Sequence, residues 1–209
     1  TQKKNINKYL HSHGGLDEKD LDSILNRTYY SRPIEAYIDF LFDQEFDHKV
    51  KSTFLSSSLP YLNEFIPVTF RKEKGHIYFQ DNKGNEISLH LASSAIKANL
   101  ALWVYLNNMA AYNDLLMIDE PEINLHPDAQ RHMARFIAFL VNKGIKVAIS
   151  THSDYFIREL NSLIMLNNDF SNKKETMSKY GYLSRDKLSC DQLVAYCFEN
   201  GNATMLPME

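Results

Sequence analysis

Two adjacent carboxylates, Asp119 and Glu120, follow the apolar run Leu115-Leu116-Met117-Ile118, and Pro121-Glu122 comes next. Four apolar residues of this kind predict a short buried strand, and the proline stops it where the acids emerge. Adjacent side chains at a strand end point in different directions. One acid can therefore serve a divalent cation while the other polarises an attacking water. A second apolar run, Ile145 to Ile149, leads into Ser150-Thr151-His152-Ser153. A histidine at the C-terminal edge of a strand, one crossover from the acids, is placed to contact a terminal phosphate. A different chemistry uses the same neighbourhood: Asp119, Glu122, His126 and His152 as a metallohydrolase cluster. No His-x-Glu or paired-histidine motif marks such a cluster. Read alone, His126 precedes a helix and His132 is an exposed helix residue.

The elements that must hold these residues follow from periodicity and punctuation. Pro127 opens a helix carrying Met133, Phe136, Ile137 and Leu140, and Lys143-Gly144 ends it. Strand, helix, strand, then a helix from Ser153 to about Asn167 implies a right-handed parallel crossover in an α/β domain. Upstream, Ser93 or Ser94 caps a long helix to about Tyr112, with Ile96, Leu100, Trp103, Val104 and Met109 among its apolar residues. Trp103 reads as core. Before that helix, Val68-Thr69-Phe70, Ile77-Tyr78-Phe79 and Ile87 to Leu91 are separated by the turn segments Lys72-Glu73-Lys74-Gly75 and Asp81-Asn82-Lys83-Gly84, an antiparallel meander. The N-terminal segment reads as helical. It comprises Leu16 to Asn26 with Asp17 as N-cap, Pro33 to about Phe46 with Ile34, Tyr37, Ile38, Leu41 and Phe42 on one face, and Leu59 to Phe65. Asp169 to Glu175 reads as loop. Asn200-Gly201 between Val194-x-Tyr196-x-Phe198 and the C-terminus predicts a hairpin. The resulting division is a helical segment over 1–66 and an α/β domain over 67–209.

Composition narrows the class. The chain has 209 residues, is 44% hydrophobic and carries a formal charge of −3, which suits a globular protein and not a generic nucleic-acid coat. Lys3-Lys4, Arg71-Lys72 with Lys74, and Lys173-Lys174 read as solvated basic clusters. Cys190 and Cys197 are too few for a disulfide framework and lack metal-ligand spacing, so a reduced, cytoplasmic setting is expected. Apolar runs are too short to span a bilayer, and no membrane partner is expected. A start at Thr1 suggests a processed, trimmed or partial chain.

Taken together, Ile118-Asp119-Glu120-Pro121-Glu122-Ile123-Asn124-Leu125-His126-Pro127 and Ser150-Thr151-His152-Ser153-Asp154-Tyr155-Phe156 resemble the Walker B and switch-histidine segments of ABC-type AAA family ATPases. That group is related to the OLD (overcoming lysogenization defect) ATPases and, more distantly, to the chromosome-maintenance and recombination ATPases. Leu125-His126-Pro127 looks OLD-like. The resemblance covers roughly residues 87 to 160, and more loosely the terminal hairpin. It implies the C-terminal lobe of a P-loop ATPase head that uses ATP and Mg²⁺. Asp119 would then position the metal, Glu120 act as catalytic base and His152 as switch histidine, with Pro121 to His126 forming the loop that touches an opposing subunit. Ala92-Ser93-Ser94-Ala95-Ile96-Lys97 resembles the signature motif, so Ser93, Ser94 and Lys97 would meet the nucleotide of the other subunit. A helix start rich in small hydroxyls is a physically suitable anion site. A glycine is usual where Ala95 stands, and its methyl would hinder close approach to phosphate.

The resemblance further implies a homodimer sandwiching ATP head to tail, working as a clamp on DNA or on an associated nuclease or toxin, in DNA repair or phage defence. No Gly-x-x-x-x-Gly-Lys-Ser/Thr occurs in these residues, so the phosphate-cradling half is expected upstream or on another chain, and this chain alone is expected to be inactive. The nuclease domain that OLD nucleases carry after the ATPase is not expected here, and Asp20-Leu21-Asp22 falls on a helix. The competing expectation is a regulatory or interaction module that keeps the fold without turnover.

Overall fold

A computed structural model describes residues 32–47 and 52–207. The expected helix from Leu16 to Asn26, Lys3-Lys4 and Asp20-Leu21-Asp22 lie outside them. The chain forms two units, divided after Asp43. Of the first unit, α1 (Arg32–Asp43) is described, ending before the expected Phe46.

The second unit begins with α2 (Thr53–Phe65). It starts six residues earlier than its apolar pattern suggested, because Ser52 supplies a cap the pattern hides: its hydroxyl accepts from the backbone N–H of Phe54 and Leu55. Pro60 sits inside this helix. The meander follows as β1 (Val68–Glu73), β2 (His76–Asp81) and β3 (Glu86–Ser88), antiparallel in that order with Phe70 opposite Phe79 and Phe79 opposite Ile87. Lys74 and Gly75 both take positive φ, the geometry of a tight primed turn. β3 is shorter than expected, since Leu89–Leu91 turns into a 3₁₀ helix.

Helix α3 (Ser94–Asn108) is capped by Ser93, whose hydroxyl accepts from the Ile96 N–H. It stops four residues short of the expected Tyr112. Met109 is its C-cap, and Asp114 accepts from both the Ala111 N–H and the Tyr105 hydroxyl, fixing the turn into the next strand. Strand β4 (Leu115–Asp119), helix α4 (Pro127–Asn142) and strand β5 (Lys146–Ser150) form the expected parallel crossover unit, with Asp119 opposite Ser150. Helix α5 (Asp154–Met165) packs on α4. The last residues of the segment read as loop, from Lys173, instead open α6 (Lys173–Tyr180), and the hairpin β6 (Tyr196–Glu199) and β7 (Asn202–Met205) follows around Asn200-Gly201.

The core sits between α2, α4 and α5. Phe136, Leu140, Leu55, Phe156 and Leu163 are fully enclosed, and Phe65 meets Phe136 with ring centroids 5.8 Å apart. A satellite cluster forms where Trp103 packs against Phe70 and Phe46, at 5.5 and 6.2 Å. Trp103 is thus core, as its position on the helix suggested. His132 is not exposed as expected: it is half-buried, with Nδ1 against the Glu64 carboxylate of α2. Among the described residues no helix is long and apolar enough to cross a membrane.

The crossover sheet departs from expectation in one respect. β4 is not a strand buried on both faces. Leu116 and Ile118 turn inward, whereas Leu115 and Met117 are 64% and 74% exposed. The same alternation runs along β5, so the exposed pairs are Leu115–Lys146, Met117–Ala148 and Asp119–Ser150. Among the described residues, helices cover one face.

Candidate active site at the ends of two parallel strands

Side chains from β4, β5 and the loops after them converge. Parallel register brings Asp119 beside Ser150, and the Ser150 hydroxyl donates to Asp119 Oδ1. The next backbone N–H, that of Glu120, is shared between Ser150 Oγ at 3.1 Å and the Ser150 carbonyl at 3.2 Å. Glu120 itself has φ +45°, a left-handed conformation costly for a residue with a side chain. The two bonds to Ser150 hold it there. This bend turns the chain off the sheet just after Asp119, so Asp119 stays on the open face and Glu120 swings toward the second strand. His152 answers from that strand: its Nε2 stands 3.8 Å from Glu120 Oε1. Its ring is 89% exposed and projects from the strand end.

Beneath these groups, Glu122 is only 7% exposed. Its Oε1 accepts from the Thr151 hydroxyl at 2.6 Å and from the His152 backbone N–H at 3.0 Å. Thr151 Oγ1 in turn accepts from the Ser153 N–H, and the Ser153 hydroxyl donates to Gln130 Oε1 at 2.5 Å. Gln130 Nε2 donates back to the Leu125 carbonyl, closing the circuit onto the loop that carries Glu122. His126 caps α4, its Nδ1 facing the Asp128 N–H at 3.5 Å, with Pro127 at the first helical position.

Asp119, Glu120 and His152 are therefore brought together as the sequence suggested. Ser93, Ser94 and Lys97 form a separate group at the start of α3. Among the described residues no hydrogen bond or ion pair joins them to the strand ends, and the Lys97 ammonium donates to the His90 carbonyl. The metallohydrolase cluster is not assembled: among the described residues no three His, Cys, Asp or Glu side chains are arranged to hold a metal. The Asp119 carboxylate beside the Ser150 hydroxyl is instead a small hard-oxygen set. It suits Mg²⁺, which takes one or two carboxylates and completes its shell with water and phosphate oxygens. Sequence reasoning misses Ser150, Thr151 and Gln130 as site residues, and it weighs Glu122 only as a metallohydrolase ligand and a member of the inter-subunit loop, not as the buried acceptor it is. Their partners lie some thirty residues away in sequence, and only the Asp119–Ser150 register makes them neighbours.

The chain belongs to the AAA ATPase domain family, whose profile matches residues 5–157. Members of this family generally bind ATP with Mg²⁺. No curated protein matches the chain. Seven chains of solved structures do. One, from a study titled "Structural biochemistry of ATP-driven dimerization and DNA stimulated activation of SMC ATPases", shares 12% identity and a TM-score of 0.42, covering 75% of this chain and 84% of that one. A likeness that remote defines neither reaction nor partner.

Proposed function

We propose that these residues form the C-terminal half of an ABC-type, OLD-like ATPase head, which hydrolyses ATP when a P-loop half completes it. One observation carries the reading. A carboxylate pair and a solvent-open histidine meet at the C-terminal ends of two parallel strands, with the second acid on a strained backbone. That is where α/β sheets bind ligands, and strain of this kind clusters at functional sites. The exposed apolar residues Leu115 and Met117 of β4 support the half-head part. Parallel sheets are ordinarily covered on both faces, and a second layer would cover Leu115 and Met117.

Roles follow from position. Asp119, with Ser150 beside it, would hold Mg²⁺, which when bound neutralises charge on the phosphates. Glu120 accepts the proton of the attacking water and aligns it. His152 donates a hydrogen bond to charge that accumulates on the terminal phosphate oxygens. Ser93, Ser94 and Lys97 at the start of α3 face the nucleotide of a second head, and His126 belongs to the loop between the heads. Two such heads sandwich ATP and separate after hydrolysis.

Glu120→Gln in the full-length protein tests this. The amide keeps shape but cannot take a proton, so hydrolysis should slow by roughly 100-fold or more, the scale of general-base catalysis. ATP binding should persist and an ATP-bound dimer accumulate, read by light scattering. Normal turnover in this variant would assign water activation elsewhere. A wild-type protein that binds ATP without turnover would favour the regulatory module.

A further inference from the structure

The geometry points to Glu122 as a positioning residue, one that sets His152 in place through the backbone and so controls turnover without touching nucleotide. The functional part rests on the ATPase reading above. The side chain of His152 is almost fully in solvent, and among the described residues its charged neighbour is Glu120, at 3.8 Å. Its ring therefore has little packing to hold it, and its location must come from the main chain. The His152 backbone N–H is held by Glu122 Oε1 at 3.0 Å, and the preceding Thr151 hydroxyl is held by the same oxygen at 2.6 Å.

Glu122 is itself fixed. It is 7% exposed, the Leu125 N–H donates to its carbonyl, and its loop is tied through Gln130 and Ser153 back to Thr151. One buried carboxylate thus locks the loop after β4 to the end of β5. Glu120 lies two residues before Glu122 and His152 is bonded to it directly. The separation between base and histidine is accordingly set by a carboxylate that holds the His152 backbone and, among the described residues, bonds to neither side chain. Displacing a catalytic group by about an ångström can cost on the order of 100-fold in rate. The second oxygen, Oε2, is buried with no hydrogen-bond partner among the described residues. Only the acceptor at Oε1 is used, so the amide of glutamine meets the requirement and an apolar side chain of equal length does not.

The test compares Glu122→Gln with Glu122→Met in the full-length protein, alone and on a His152→Ala background. Glu122→Met should lower kcat by roughly 10- to 100-fold with the KM for ATP within about threefold, whereas Glu122→Gln should stay within about threefold of wild type. On the His152→Ala background Glu122→Met should add less than about threefold, because both changes act on one group. Equal losses in the two variants, or losses that multiply in the double variant, would overturn the role. Backbone amide exchange at His152 tests the tether without ATP. It should be slow in wild type and in Glu122→Gln, and fast in Glu122→Met. Fast exchange in the wild type refutes the tether even if the Met variant does not fold. Slow exchange in a wild-type protein that lacks ATPase activity would instead refute the ATPase reading and leave the tether standing.

Discussion

At the scale of single residues, motif and spacing expose the acids and the histidine but not what holds them. Asp119, Glu120 and His152 are readable because their chemistry is unusual at strand ends. Ser150 and Glu122 are ordinary residue types whose meaning comes from a parallel register that no local pattern encodes. The left-handed backbone of Glu120 was equally hidden, since nothing in Asp-Glu-Pro calls for a positive φ at the middle residue. His152 gives the clearest separation of function from structure. Its ring is 89% exposed, so His152→Ala removes little packing and should change unfolding free energy by no more than about 0.5 kcal/mol. Turnover in the full-length protein should fall by roughly 100-fold, the scale of losing one preorganised donor to developing charge. Thermal unfolding and ATP hydrolysis, measured on the same variant, check both halves. A large fall in melting temperature with unchanged turnover would return His152 to a structural role.

At the scale of elements, the crossover unit was legible because each part carries its own signal: apolar runs for β4 and β5, Pro127 at the start of α4, Lys143-Gly144 at its end. Helix α6 was not. Its residues, Lys-Lys-Glu-Thr-Met-Ser-Lys-Tyr, show no apolar stripe, and its ends are set by Asn172 and Gly181, both at positive φ. Tertiary bonds place it. Arg135 of α4 reaches the Tyr180 carbonyl at 3.3 Å and lies 4.3 Å over the Tyr182 ring. The same arginine makes a 2.6 Å bond to Glu159 of α5, which is 2% exposed and also accepts from Arg131 at 2.8 Å. Glu159 therefore joins α4 to α5. Glu159→Ala would leave the buried Arg135 guanidinium without its counterion, a loss of roughly 3–5 kcal/mol when one member of a buried pair is removed. Denaturant unfolding of the 209-residue chain measures it. A cost under about 1 kcal/mol would show that water or Tyr182 satisfies Arg135 as well as the carboxylate does.

At the scale of the molecule, the informative feature is the face left bare. Among the described residues the two parallel strands carry helices on one side, and the two-stranded hairpin exposes Tyr196, Phe198 and Met205. Sequence patterning could not show this, because an apolar run reads as buried whether or not the chain supplies both covers. Met117 distinguishes an isolated unit from half of a head. At 74% exposure, its replacement by lysine puts a charge into water, and Met117→Lys in the 209-residue chain should shift stability by no more than about 0.5 kcal/mol. If a P-loop half lies on this face in the full-length protein, the same lysine must be buried against apolar neighbours. The unpaired ammonium then costs several kcal/mol, on the order of 3 or more. Met117 also shares its face with Asp119, two residues on, so the disturbance should reach ATP turnover. Unfolding of the short and full-length proteins, each with and without the substitution, gives the four values needed. A large penalty confined to the full-length protein fits the half-head. Equal and small effects in both would mean that the face is open to solvent in the whole molecule and that the nucleotide site is completed elsewhere.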